Sequence, residues 1–323
     1  MTTKPNVLLY EPIHEEGMKV LRSHAQPRIA SAWDEDTIVR EVQEAEGIII
    51  RAHGSATARI MDAAPRLKVI GRHGVGIDNV DVEAATQRGI WVVNTPTAVT
   101  EPVAEHVVGM MIAVVKDFRN CDAETRRANW RYRNNVEGFN LAGKTLGVVG
   151  LGRIGYRTAE ICHRGLGMKI VYHDVVPSVK AEQELGAQKM PLLRLLEISD
   201  VVTLHTPYLP QTHHLIGTEA LRHMKPTAYL INAARGKVVD QDALVEALRE
   251  KRIAGAALDV FELEPPDKDN PLFVLDNVLL TPHVASATTE ALIGMSMVAK
   301  DVVAVIQGRR PEFPVNMPQS PKG

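Results

Sequence analysis

The feature that most constrains this chain is a glycine triplet, Gly150-Leu151-Gly152-Arg153-Ile154-Gly155, set between a short apolar run and a helix-forming stretch. The apolar run Thr145–Val149 reads as a buried strand. Gly150 then permits a tight turn, Gly152 lets backbone approach a bound group, and Gly155 lets helix and strand pack closely. The N–H groups that open the helix, at Arg153 and Ile154, find no carbonyl inside it and suit a pyrophosphate. A second strand ends in Asp174, about 20 residues past the last glycine, where a carboxylate accepts hydrogen bonds from ribose hydroxyls and repels a 2′-phosphate. Its other possible role is to cap the turn Val175-Val176-Pro177. Together these parts predict a dinucleotide site that takes NAD.

Around the turn, short β-rich runs alternate with helical stretches, the pattern of parallel sheets covered by helices on both faces. The early strands are expected at 7–9, 47–50, 67–70 and Trp91–Val93. The later ones are expected at Thr145–Val149, 169–172, Val201–Leu204, Tyr229–Asn232, 254–258 and Val278–Leu280. With 323 residues the chain suggests about two domains, and Asn94-Thr95-Pro96 marks a turn suited to a boundary or hinge. A helix is expected over Thr100–Val115, with Thr100 as N-cap and Pro102 in its first turn. Its body from Val107 to Val115 is apolar all round, which predicts burial on every side, within a domain or in a homodimer interface around 103–115. A last helix is expected over 289–307, before a proline-rich tail.

Charge and cysteine usage narrow the partners. Lys plus Arg number 37 against 39 Asp plus Glu, so the chain has no global field for nucleic acid, and a small molecule is the expected partner. The basic stretch 126–133 with Trp130 and Tyr132 reads as a solvated loop. Alternatively, Arg131 or Arg133 reaches into a neighbouring subunit's cleft to meet a phosphate or second acidic group, and nucleic-acid binding is the third reading. The two cysteines, Cys121 and Cys162, show neither a pairing pattern nor metal-ligand spacing, so no metal is expected. No apolar run approaches a membrane span or a signal core, and the expected location is cytoplasmic.

Three loops downstream carry the chemistry, each just after a predicted strand: Asn232-Ala233-Ala234-Arg235-Gly236, Leu258-Asp259-Val260-Phe261-Glu262-Leu263-Glu264, and Thr281-Pro282-His283. Such loops gather at the carboxyl edge of a parallel sheet, where ligands bind. Interconverting a hydroxy acid and a keto acid needs a cation for the carboxylate and carbonyl, an acid/base, and a carboxylate to orient that acid/base. Arg235 suits the first role through its planar fork, His283 the second, and Glu264 the third. Taken singly, each also has a structural role open to it: a capping or salt-bridged Arg, a solvated loop acid, a turn histidine.

At this point the sequence resembles the D-isomer-specific 2-hydroxyacid dehydrogenases, in particular the phosphoglycerate-dehydrogenase-like branch. The resemblance spans nearly the whole chain. It rests on the run from Gly71 to Asp81, on Asn94-Thr95-Pro96 with Val103-Ala104-Glu105-His106, on Gly143 to Gly147, on His205-Thr206-Pro207, and on the three loops. It implies an Arg–Glu–His catalytic set at Arg235, Glu264 and His283. It also implies that the backbone N–H groups of Val75 and Gly76 hold the substrate carboxylate, and that Asp259 supports the site. Residues of the 205–207 and 232–235 loops, His205, Thr206, Pro207 and Ala233 among them, would line the nicotinamide pocket.

The resemblance further implies two Rossmann/flavodoxin-like parallel-sheet domains. Residues 1–97 and 288–323 would form a split, flavodoxin-like substrate domain, and 98–287 an NAD-binding domain inserted in it, with the active site in the cleft. Homodimers of relatives use the helix after Asn94-Thr95-Pro96. Departures from phosphoglycerate dehydrogenases are Val99, Pro102 and His73, together with a tail too short for a regulatory domain.

Three function classes follow. The first is an NAD-dependent dehydrogenase of a D-2-hydroxy acid such as D-3-phosphoglycerate. Arg51, after strand 47–50, favours it by offering a cation to a second acidic group, although a surface role for Arg51 is equally open. The second is a hydroxypyruvate or glyoxylate reductase, and the third an NADH-sensing, corepressor-like binding module.

Overall fold

The computed structural model describes residues 4–322, which divide into two compact units. The first ends at Val99 and resumes at Ala287, and the second runs Thr100–Ser286.

The first unit is built on five parallel strands: β1 (Asn6–Leu9), β2 (Gln26–Ile29), β3 (Ala45–Ile50), β4 (Val69–Arg72) and β5 (Trp91–Val93). Their spatial order is β2-β1-β3-β4-β5, the flavodoxin-like order. Such strands are covered on both faces, and Leu9, Ile48, Ile49 and Ile50 are fully buried. The chain that returns after Ala287 supplies one cover. Helix Val298–Ile306 lies so close to the sheet that a Cβ on Gly71 would sit 2.6 Å from Val302 Cγ2. The tail then shields the edge of β5. Pro314 bridges Val93, and Asn316 Oδ1 accepts the Val92 N–H at 2.7 Å.

The second unit has seven parallel strands: β6 (Thr145–Val149), β7 (Lys169–His173), β8 (Gln188–Lys189), β9 (Val201–Leu204), β10 (Tyr229–Asn232), β11 (Gly255–Leu258) and β12 (Val278–Leu280). Their order, β12-β11-β10-β9-β6-β7-β8, reverses direction between β6 and β9. This is the Rossmann arrangement, and the reversal is where open α/β sheets take their ligands.

Three expectations meet a different outcome. Strands β2 and β8 lie in segments where the sequence predicted none, and the strand expected at 67–70 is shifted to Val69–Arg72. The expected helix 289–307 is two helices, Thr289–Ser296 and Val298–Ile306. At the break Met297 donates to Gly294 O, and the Ser296 hydroxyl donates to Ile293 O, competing with the regular ladder. Helix Thr100–Val115 packs on helix Arg153–Leu166 and on β10, β11 and β12. Val103, Val107 and Met111 are buried there, while Glu101, Glu105 and Gly109 form a stripe exposed in the single chain. Among the described residues no helix is long and apolar enough to cross a membrane.

Candidate active site

The glycine turn follows β6 at the reversal point of the second sheet. Gly150 has φ +89°, and a Cβ there would lie 2.9 Å from His205 C and Thr206 N. The turn and the loop after β9 are thus in backbone contact, which only a residue without a side chain allows. At Gly155 a Cβ would fall 2.2 Å from Gly150 O, so this glycine lets the helix close onto the turn. A Cβ on Gly152 would meet nothing within 4 Å, which leaves open space over the helix start. Helix Arg153–Leu166 has Gly152 as its N-cap and no side chain capping its first amides. Those amides carry the positive end of the helix dipole toward that space.

Asp174 stands at the end of β7. Its Oδ2 accepts the Leu151 N–H at 2.6 Å and its Oδ1 the Val176 N–H at 3.0 Å. The expected capping role of Asp174 is therefore present, and the same carboxylate is tied directly to the glycine turn. In the loop after β9, Thr206 Oγ1 is buried with no hydrogen-bond partner, a polar atom awaiting one. Burial lowers the His205 pKa to about 4, and its neutral ring shares a 3.0 Å hydrogen bond with Thr203 Oγ1. An open helix start, an anchored carboxylate and an orphaned hydroxyl fit a dinucleotide.

The three loops expected to carry the chemistry come together on the same edge of this sheet. His283 Nδ1 lies 2.7 Å from Glu264 Oε2, and Glu264 Oε1 accepts the Phe261 N–H at 3.0 Å. Burial raises the Glu264 pKa, but the hydrogen bonds from His283 and Phe261 and the charges of His283 and Arg235 outweigh it, so the carboxyl stays below its ordinary value. A carboxylate so held fixes the orientation of the imidazole. Arg235 sits in the turn after β10 with Ala233. The buried Asn232 shapes that turn, donating to Arg235 O at 3.0 Å and accepting from Ala234 N at 3.0 Å.

Asp259 is fully buried beneath His283. Its backbone oxygen accepts the His283 N–H at 2.7 Å. Its carboxylate accepts from Thr281 Oγ1 (2.6 Å) and from the Val284 and Ala285 N–H groups (2.9 Å each). Burial opposes this charge, and His106, Thr281 and the two amides together hold the carboxyl below its ordinary value. His106, on helix Thr100–Val115, bonds Thr281 Oγ1 at 3.2 Å and lies 3.6 Å from Asp259 Oδ1. Its part in the site is not evident from the sequence. The available signal is its place between the buried Val103 and Met110, on the inward stripe of that helix.

The remaining expected residues lie in the first unit. Arg51 follows β3 and donates to Pro12 O at 3.2 Å. Gly74 is held by Thr95, whose Oγ1 accepts its N–H at 3.1 Å, and Asn94 donates to Val75 O at 2.9 Å. This fixes the turn that carries Val75 and Gly76. His73 is buried, and burial together with the Arg51 and Arg72 charges lowers its pKa to about 4. Among the described residues no group of three His, Cys, Asp or Glu could hold a metal.

Comparison with known proteins places this geometry in a family. Residues 108–285 match the model of the D-isomer specific 2-hydroxyacid dehydrogenase NAD binding domain. The chain is 40% identical over 314 residues to a D-3-phosphoglycerate dehydrogenase of Archaeoglobus fulgidus, covering 97% of this chain and 59% of that protein. A second such relative, from Methanocaldococcus jannaschii, is covered to 60%, so the chain spans about three fifths of both. It is 41% identical over 326 residues to a glyoxylate reductase of Thermococcus onnurineus, covering 97% of this chain and 96% of the relative. Among solved structures, D-lactate dehydrogenase from Aquifex aeolicus, complexed with NAD and lactic acid, superposes with a TM-score of 0.86 at 33% identity, covering 94% of this chain and 96% of that one. The chain belongs to the D-isomer specific 2-hydroxyacid dehydrogenase family.

Proposed function

We propose that this protein interconverts a D-2-hydroxy acid and its 2-keto acid with NAD. The observation that carries the reading is the His283–Glu264 pair at 2.7 Å, on the sheet edge that also bears Arg235 and the glycine turn. Bound there, NADH supplies the hydride for reduction and NAD takes it up in oxidation. The chain's own residues do the rest. The turn and the first helical amides hold the pyrophosphate, Asp174 the ribose, and His205, Thr206, Pro207 and Ala233 the nicotinamide end. Arg235 binds the substrate carboxylate and stabilises charge that develops on the carbonyl oxygen. His283 gives that oxygen its proton in reduction and takes it back in oxidation, with Glu264 holding the ring. Val75 and Gly76 are proposed as further carboxylate ligands, and Asp259 as the support beneath His283.

For the substrate, the phosphoglycerate-like reading rests on Arg51, which shares the surroundings of His73 with Arg72 and gives the first unit a cationic cluster. A second reading, reduction of hydroxypyruvate or glyoxylate, is favoured by the match to glyoxylate reductases along almost their full length. NADH oxidation with hydroxypyruvate, glyoxylate and phosphohydroxypyruvate separates the two. The first reading predicts the highest kcat/KM with phosphohydroxypyruvate, and the second with an unphosphorylated acid. No turnover with any 2-keto acid would remove both and favour a binding module.

We also propose a homodimer through helix Thr100–Val115, whose Gly109 is exposed and whose Ile112 and Ala113 are only half-buried. A solution mass of twice the chain supports it, and a monomer at micromolar concentration removes it.

A further inference from the structure

Glu264 is fixed through the backbone of its own loop, because one of its oxygens accepts the Phe261 N–H while the other meets His283. What holds that backbone is therefore part of the site. Leu263, at the loop's tip, is 59% exposed and gives it no apolar anchor. Leu258, Asp259, Val260 and Phe261 are buried, and two further contacts grip the backbone where the loop leaves the core. A Cβ on Gly236 would lie 1.9 Å from Phe261 O, so the turn carrying Arg235 lies backbone to backbone against it. The second grip is Glu262. Its Oε1 lies 2.8 Å from His214 Nε2, and its Oε2 accepts the Gln241 N–H at 3.3 Å, at the start of helix Gln241–Arg249.

His214 is itself held from several sides. Its backbone N–H donates to Lys237 O at 2.9 Å, and its ring stacks on His213 with centroids 3.9 Å apart. His213 meets Tyr208 edge-on at 5.9 Å, and Asp240 Oδ2 lies 3.8 Å from His214 Nδ1. An exposed ion pair on two free side chains is worth little. Here one partner is part of a stacked column and the other sits at a helix N-terminus, so the pair has a defined geometry to impose.

We propose that His214 and Glu262 are a positioning pair that holds the outer part of this loop, residues 262–264, and thereby keeps the Glu264 carboxylate on His283. Neither residue needs to touch substrate or cofactor. Their effect passes through the two-residue step from Glu262 to Glu264, and a misplacement of about 1 Å in such a group costs up to about 100-fold in rate. The inference rests on the reading of Arg235, Glu264 and His283 as the catalytic set.

The test is a set of variants in the full chain. Glu262→Ala and His214→Ala are each expected to lower kcat about tenfold, with the keto-acid KM and the NADH dissociation constant within about twofold of wild type. The double variant should be no worse than either single one, and Glu262→Gln should recover most of the rate. In a Glu264→Gln background, Glu262→Ala should cost nothing further. The Glu264 carboxyl titration, followed by NMR without substrate, should rise toward its ordinary value in Glu262→Ala. Unchanged kcat with an unchanged Glu264 titration overturns the inference, as does an undiminished loss in the Glu264→Gln background. If wild type turns over no 2-keto acid, the catalytic reading fails, while the Glu264 titration still decides whether the pair positions that carboxylate.

Discussion

His283 has φ +54°, in the left-handed region that residues other than glycine seldom occupy. The conformation is held from below by Asp259, which takes up the N–H groups of His283, Val284 and Ala285 and the Thr281 hydroxyl. Asp259→Ala leaves the Val284 and Ala285 N–H groups and the Thr281 hydroxyl without an acceptor, while the backbone bond from His283 remains, and is expected to cost about 3 kcal/mol, as for buried groups stripped of a charged partner. Because the Asp259 pKa is lowered in the folded chain, the cost has a predictable pH dependence. The wild-type advantage should be complete above the ordinary aspartate value and vanish as pH falls through the lowered one. Urea unfolding of both proteins between pH 3 and 7 measures it, and a gap independent of pH would contradict this role. The sequence made Arg235, Glu264 and His283 legible because each follows a strand of a recognisable sheet. It made Asp259 legible as a residue of the site but not as the anchor of the histidine loop. That role depends on three amides and a hydroxyl converging in space.

At the level of elements, the glycine turn separates what folding needs from what binding needs. A methyl on Gly155 collides with Gly150 O, whereas one on Gly152 meets only open space. Gly152→Ala should therefore keep the melting temperature within about 2 °C of wild type while weakening NADH binding at least tenfold. Gly155→Ala should lower both. Thermal unfolding and fluorescence titration check the pair, and unimpaired NADH binding by Gly152→Ala would show that the open space is not the phosphate site. The turn was legible because its glycines, strand and helix occur in fixed order. Strand β2 was not, because Gln26-Pro27-Arg28-Ile29 contains a proline, lies on the sheet edge and has no apolar alternation. Strand β8 has two residues, too few for any periodicity.

The whole molecule consists of two parallel-sheet units on one interrupted chain, the second begun and completed between Thr100 and Ser286. Strand alternation was enough to predict parallel sheets, but not that the helix after Ala287 would return to the first sheet. That return depends on Gly71 allowing close approach to Val302, a contact across more than half the sequence. The second unit holds the glycine turn, Asp174, Arg235, Glu264 and His283 on a single sheet edge, and the proposed chemistry stands or falls on this convergence. Its most direct test is to compare NADH turnover of wild type and His283→Ala on the best 2-keto acid of the panel, alongside their NADH affinities. The account predicts a loss in kcat of at least about 100-fold with NADH affinity within about twofold. A variant that turns over at near the wild-type rate would contradict it.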